Sequence, residues 1–332
     1  MYQQIIQSNF NNKLEKEINK LFHQLNLPLH FNKTGNKEFT NYQRISIIIL
    51  FYRSKKSLRQ FIDEDLQESK WISWLGLNNL PTKSTLHRWI KIFNMKILRK
   101  ICKFFIPKKL ELTAIDSTGI DAWQRSRHYE KRCGKFKGKK LPPMNYAKTS
   151  LFIDVKTQII LDWDLVMSRE HDVKIAERIF KRNSIKNIRG LGDKGYDSEP
   201  LHEIAHENGI SFFAPVRKMN KRAFSWKMPK GFYRRQCKKN PPEDKGMRSI
   251  VESVNFVLKK TQITSLRSKK HFMRERELGW HIILYNIKRK IKVSKDKKVQ
   301  TFIFLEMKIY FIWDNAYTDY LPIISNTYQN TS

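Results

Sequence analysis

Three carboxylates stand out by position. Asp116 closes the segment Leu110–Asp116, whose residues LELTAID read as a strand. Asp193 follows Asn187–Gly192, a second short strand pattern. In an α/β sheet, functional groups collect at the carboxyl ends of strands, so neighbouring strands would bring these two carboxylates side by side. Such a pair repels and raises its own pKa unless a cation lies between. Mg²⁺ fits that role, because it takes oxygen ligands, usually one or two carboxylates plus water and phosphate. Paired ions of this kind activate an attacking oxygen and stabilise the leaving oxygen of a phosphodiester.

Glu252 is the third candidate. It falls in a helix expected from about Lys245 to Lys260. At about 100° per residue, Lys245, Arg248, Glu252 and Lys259 share one stripe. Met247, Ile250, Val251, Val254, Val257 and Leu258 lie opposite, with Phe256 as the exception. Asp121, Asp154, Asp162, Asp164, Asp172 and Asp197 compete as carboxylates. They read as turn or strand-surface residues, since none ends a buried parallel strand.

These groups need a frame. Thr149–Val155 and Gln158–Val166 read as a hairpin, Asp172–Arg182 as a helix. A helix capped by Asp197 or Ser198, with Pro200 in its first turn, closes at Asn208–Gly209, and Ile210–Val216 is the next strand. Residues 217–244 form a basic, aromatic insertion, and a last helix runs from about His271 to Lys290. The order is that of an α/β, ribonuclease H-like mixed sheet with flanking helices, over residues 108–291. Residues 292–332 form a tail without assignment.

Residues 1–100 read as an all-helical module. Within it Glu68–Leu75 is a short helix and Gly76–Pro81 a turn, and Thr82 caps a helix to about Met95. Leu86, Ile90 and Phe93 form its apolar stripe with Trp89 beside it, leaving Lys83, Ser84, His87, Arg88 and Lys91 facing out. A helix-turn-helix has this layout, with its second helix entering the major groove.

The charge balance is 65 Lys and Arg against 31 Asp and Glu, a formal net charge of +34. That excess, spread through every segment among Trp, Tyr and Phe, favours a polyanionic partner, since each neutralised phosphate releases counterions. Cys102, Cys133 and Cys237 are widely spaced and read as reduced thiols. No signal-peptide pattern opens the chain, and the apolar runs Ile45–Tyr52 and Phe302–Trp313 are too short for a bilayer. A cytoplasmic, nucleoid-associated protein without a membrane partner is expected.

The blocks AIDSTGI and RGLGDKGYDS, with the run Arg248-x3-Glu252-x6-Lys259, resemble the three blocks of DDE transposases of prokaryotic insertion sequences. The resemblance covers roughly residues 40–290 and includes STLHRWIK. It implies metal-dependent cleavage and strand transfer at element ends. Asp116, Asp193 and Glu252 would be catalytic and hold Mg²⁺, for which Mn²⁺ can substitute, while Arg248 and Lys259 would touch DNA phosphates. Partners would be double-stranded DNA, both element ends and target, with a homodimer on paired ends. Lys245 occupies the position of the signature Tyr. Trp226, in the insertion, is a candidate to hold an unstacked base in its place.

Two other readings compete. A non-catalytic DNA-binding protein, or an inactive transposase relic, would need the basic faces but not the carboxylates. His202-Glu203-Ile204-Ala205-His206 is a literal His-Glu-x-x-His, the spacing of a zinc metalloprotease. Against it, the next expected His is Phe212, and the helix ends at Gly209.

Overall fold

The computed structural model describes residues 2–31, 37–122, 146–217 and 228–318, with side chains described from 10 to 294 within those ranges. The chain forms two compact units, Met1–Arg289 and Lys290–Ser332.

The first unit opens with helices α1 (Tyr2–Leu25), α2 (Asn41–Ser54), α3 (Leu58–Gln60, continued as a π-turn through Asp65), α4 (Ser69–Leu75), α5 (Lys83–Ile92) and α6 (Met95–Lys103). Their ends are set locally. Gly76 closes α4 at φ +57°, a backbone region that suits glycine. The Thr82 side chain accepts the Thr85 amide at 3.2 Å and starts α5 as expected. The expected extension of α5 to Met95 is wrong: α5 stops at Ile92, because Asn94 caps α6 by accepting the Ile97 amide at 3.1 Å. Leu86, Trp89, Ile90 and Phe93 are buried, and this apolar face is what holds α5 in the unit.

Five strands follow: β1 (Leu112–Asp121), β2 (Tyr146–Asp154), β3 (Ile160–Val166), β4 (Ile188–Leu191) and β5 (Ile210–Phe213). Their order in the sheet is β3-β2-β1-β4-β5. The β1–β2 and β2–β3 pairs are antiparallel, while β1–β4 and β4–β5 are parallel. This is the ribonuclease H-like mixed sheet with flanking helices. Helix α7 (Asp172–Arg182) follows β3, and α8 (Glu199–Glu207) joins β4 to β5. Phe180 of α7 sits edge-on between Phe152 and Phe212, with ring centroids at 5.7 and 5.1 Å. Burial of each such ring contributes about 2–3 kcal/mol.

Several elements differ from expectation. β1 continues five residues past Asp116, because Ser117–Asp121 pair with β2 despite their loop-like composition. The insertion holds a helix, α9 (Phe232–Lys239). The expected Lys245–Lys260 helix is instead a 3-10 segment, Glu243–Arg248, followed by α10 (Ser249–Thr261). Its apolar side is therefore narrower: Val251, Val254 and Leu258 are buried, whereas Met247 and Val257 are exposed. The last helix, α11, spans His271–Thr318 rather than ending near Lys290. No Gly or Pro interrupts the sequence between Gly279 and Pro322, so nothing local stops it.

α11 finishes the sheet's β3 edge. A Cβ at Gly279 would lie 2.9 Å from Leu98 of α6 and 3.0 Å from Trp163 of β3, so the helix approaches closely. Farther along, the buried Asn286 amide accepts the Ile160 N–H at 2.9 Å and donates to the Ile160 carbonyl at 2.8 Å. The Trp163 carbonyl accepts from Arg99 and Arg182 at 3.2 and 3.3 Å.

Asp162 and Asp164, expected at the strand surface, belong to an ionic network. Asp162 binds Arg99 and Arg182, and Asp164, only 8% exposed, binds Arg178 and Arg182. Asp154 is buried too, but it is a turn residue as read: its carboxylate accepts the Thr157 amide at 2.8 Å. Cys102 is buried and Cys237 half-buried, both as free thiols, while Cys133 lies outside the described residues. No helix among the described residues is long and apolar enough to cross a membrane.

Candidate active site

The parallel pairing of β1 with β4 is short. It runs from Leu112 opposite Arg189 to Ala114 opposite Leu191. Asp116 and Asp193 each come two residues after that last pair. Side chains alternate along a strand, so Asp116 shares the face of Ala114. Asp116 does not end β1. What ends there is its pairing with β4, after which β2 alone supports the strand.

Two features set the position of Asp193. A Cβ at Gly192 would lie 2.6 Å from the Phe212 ring, so the chain leaves β4 through a gap that admits only glycine. Asp193 then caps a single 3-10 turn, Lys194–Tyr196, with Oδ1 accepting the Gly195 amide at 2.6 Å. Tyr196 returns that turn to β1. Its hydroxyl is 3.0 Å from Ser117 Oγ, which is 2.6 Å from Ser150 Oγ on β2. Burial pushes the Tyr196 pKa well above its usual value, so the phenol stays neutral. This polar chain behind the acidic face was not legible beforehand, since Ser117, Ser150 and Tyr196 are far apart in sequence.

Asp116 is half-buried, and burial is the main reason its pKa is pushed up to about 6. Hydrogen bonding with the Ser117 backbone opposes the rise. The charges of Asp193 and Glu252 add to it, and that of Arg248 opposes it. The sheet and α10 therefore bring all three expected carboxylates, and Arg248, within electrostatic range of one another.

Glu252 stands in the first turn of α10, whose buried Val251, Val254 and Leu258 hold the helix, in contact with β1 and β2. Its carboxylate is turned to Arg248 at 2.8 Å and is 54% exposed. Among the described residues, no three His, Cys, Asp or Glu side chains converge within metal-ligating reach. The donors at hand are carboxylate oxygens without imidazole or thiolate, a set that suits a hard divalent cation. Lys259 Nζ is 3.3 Å from the Gly119 carbonyl, at the far end of β1. Lys245 and Arg248 lie in the 3-10 segment, so the α-helical stripe expected through Lys245 does not form, although Lys245 is exposed.

The model of the Transposase DDE domain family matches residues 107–287, more than half of the 332-residue chain. The chain belongs to this family. It is a DNA-cutting and strand-transfer enzyme, and DDE transposases work with divalent metal ions. The matched region takes in Asp116, Asp193 and Glu252. A similar solved structure, a cryo-EM structure of a piggyBac transposase synaptic complex with hairpin DNA, has 14% identity and a TM-score of 0.42, covering 84% of this chain and 72% of that one. That degree of likeness is too low to bear on function. No curated protein matches the chain.

The remaining candidates of the transposase fall in three places. Lys83, Ser84, His87 and Arg88 are all exposed on α5. Trp226, with Lys221, Arg222, Phe224 and Lys227, lies outside the described residues. His202 and His206 do not face each other across a ligand. His202 is buried, its Nδ1 is 3.2 Å from the Phe212 carbonyl, and burial lowers its pKa, whereas His206 is exposed. Tyr233 of the insertion stacks against His202 at 6.3 Å and lies 5.5 Å from His206.

Proposed function

We propose that the chain is the transposase of a prokaryotic insertion sequence, cleaving and joining strands at the element ends. Asp116, Asp193 and Glu252 are its catalytic carboxylates, and Mg²⁺ is the ion they hold, with Mn²⁺ as a substitute. The observation that carries this reading is the placement of Asp116 and Asp193 two residues beyond the pair Ala114–Leu191. A bound divalent ion would supply Lewis-acid activation of the attacking oxygen and stabilisation of the leaving one.

The protein's own residues prepare that chemistry. Asp116, ionised above about pH 6, offers its oxygens beside Asp193. The Gly195 amide orients the Asp193 carboxylate through Oδ1. Glu252 joins by turning away from Arg248. An ion pair this exposed contributes only about 0–1 kcal/mol, so the carboxylate gives it up readily and Arg248 is left for a DNA phosphate. Lys245 and Lys259 are further phosphate contacts.

Residues 1–100 form the end-recognition module, with α4 and α5 as a helix-turn-helix that presents Lys83, Ser84, His87 and Arg88 to DNA. Residues 108–291 form the catalytic domain. Cutting at paired ends implies a homodimer on the DNA, in a protein that works at the nucleoid.

The test uses duplexes carrying the element end, Mg²⁺, and the variants Asp116→Ala, Asp193→Ala and Glu252→Ala. Each should abolish strand cleavage while leaving DNA binding largely intact. Near-native cutting by any one of them removes that residue from the site.

A further inference from the structure

A cavity of about 560 Å³ opens between α2, α5, the 262–270 loop and the start of α11. None of Asp116, Asp193 and Glu252 lines it. Its volume is in the range of small-ligand sites. The floor is apolar and buried, formed by Tyr52, Ile90 and Met273. The rim is cationic and exposed, with Lys55, Lys91 and Lys270.

The walls are fixed by hydrogen bonds. The Arg267 guanidinium donates to the Lys55 and Lys56 carbonyls at 2.7 and 3.0 Å. Glu277, the acidic residue in the lining, accepts the Arg267 and Ser268 amides at 2.8 and 2.9 Å.

His281 supplies the second observation. It lines the cavity, is only 7% exposed, and lies 4.8 Å from the Tyr52 ring. Among the described residues its Nδ1 has no hydrogen-bond partner. Burial, together with the charges of Arg267, Lys288 and Lys55, lowers its pKa to about 3. The ring is therefore neutral, with one nitrogen that donates and one that accepts. A buried polar atom left unpaired is costly, so this atom calls for a partner from outside.

We propose that this cavity takes one unpaired nucleotide of the DNA strand bound on α5, with its base lying on the floor of Tyr52, Ile90 and Met273, its edge toward His281, and its phosphate on Lys91 and Lys270. The proposal rests on reading α5 as the DNA-facing helix. A bare phosphate would leave the apolar floor and His281 unused, and an apolar ligand would not use the rim. A nucleotide uses all three: a π-face for the floor, a hydrogen-bonding edge for His281, and an anion for the lysines. His87 and Lys91, one helical turn apart on α5, both line the cavity, so a strand lying on α5 passes its mouth.

The test uses the full chain in equilibrium dialysis with dAMP and with 2-deoxyribose 5-phosphate, which lacks the base. The expected result is binding of dAMP at least tenfold tighter, weakened about tenfold by Lys91→Glu. His281→Phe keeps the ring shape and should shrink the preference for the base-bearing ligand to under threefold. A single-stranded oligonucleotide should displace dAMP. A 5-iododeoxyuridine oligonucleotide should photo-crosslink wild type at Tyr52 or Phe272, a measurement that survives if His281→Phe fails to fold. Equal binding of the two small ligands, indifference to Lys91→Glu, crosslinks elsewhere, or dAMP that no oligonucleotide displaces would each overturn the proposal. Binding is read without cleavage. Asp116→Ala protein that binds dAMP normally but does not cut separates this site from the carboxylate site, and a wild type that binds dAMP yet never cuts counts against the carboxylate reading alone.

Discussion

Asp197 and Arg234 are joined by two hydrogen bonds, at 2.7 and 2.8 Å, and the Asp197 side chain is only 1% exposed. They are 37 residues apart in the chain. Glu199 adds to the link by accepting the Tyr233 and Arg234 amides at 2.9 and 3.0 Å, which places a carboxylate at the N-terminus of α9. The loop that begins at Asp193 is thus also the anchor of the insertion. Asp197, expected to be a turn or surface residue, is a buried tie.

Asp197→Ala should destabilise the protein by about 3 kcal/mol, because it leaves Arg234 without its buried partner. Urea unfolding measures the loss, and hydrogen exchange localises it: protection of the Tyr233 and Arg234 amides should fall first. Unchanged exchange in α9 would mean that the insertion is held by other contacts.

Asp116 binds its proton more tightly in the folded chain, at about 6, than at the ordinary value of 3.8. Well below pH 4 the group is neutral in both states and costs nothing. As pH rises from about 4 through 6 the unfolded chain ionises while the folded one still holds its proton, so stability falls, and the loss is complete once the folded group is ionised too. Asp116→Asn removes that charge. In EDTA it should stabilise the protein by about 1–2 kcal/mol at pH 8, allowing for partial exposure, and by almost nothing at about pH 3. Denaturation curves at the two pH values check this, and an equal effect at both would contradict it.

The two histidines of the His-Glu-x-x-His run should behave differently. His202→Ala opens a cavity beside Phe212 and should cost about 2 kcal/mol, whereas His206→Ala, at the surface, should stay within about 0.5 kcal/mol. Both should cut DNA at close to the normal rate. One zinc per chain by elemental analysis, lost in either variant, would restore the metalloprotease reading.

Arg88 is exposed on α5 and, with that helix read as the DNA-facing one, is a candidate to contact a base. Arg88→Ala should reduce discrimination between element-end and random DNA by about 1–3 kcal/mol. A filter-binding or anisotropy titration on both DNAs decides it. Equal weakening on both would make Arg88 a phosphate contact.

Local pattern was enough wherever a segment's own residues determine its form. Asp172–Arg182 carries Ile175, Ala176, Ile179 and Phe180 on one face, and the helix has those bounds. Thr82 caps α5, and Asp193 follows β4 as its strand pattern implies, whereas Asp116 does not end β1. Local pattern failed where the determining partner is distant. Ser117–Asp121 looks like a loop and is a strand because β2 lies beside it. α9 has no apolar stripe of its own, and Glu199 fixes its start. Asp164 looked exposed because Arg178 and Arg182 approach it from another element.

The outer edge of β3 is capped by side chains: Asn286 occupies both main-chain groups of Ile160, and two arginines occupy the Trp163 carbonyl. A strand from another chain would have to displace them before it could add to the sheet there. This makes that edge a poor seed for the cross-β stacking by which exposed sheets aggregate. A protein this rich in apolar strands can therefore be concentrated on DNA without its β3 edges fusing.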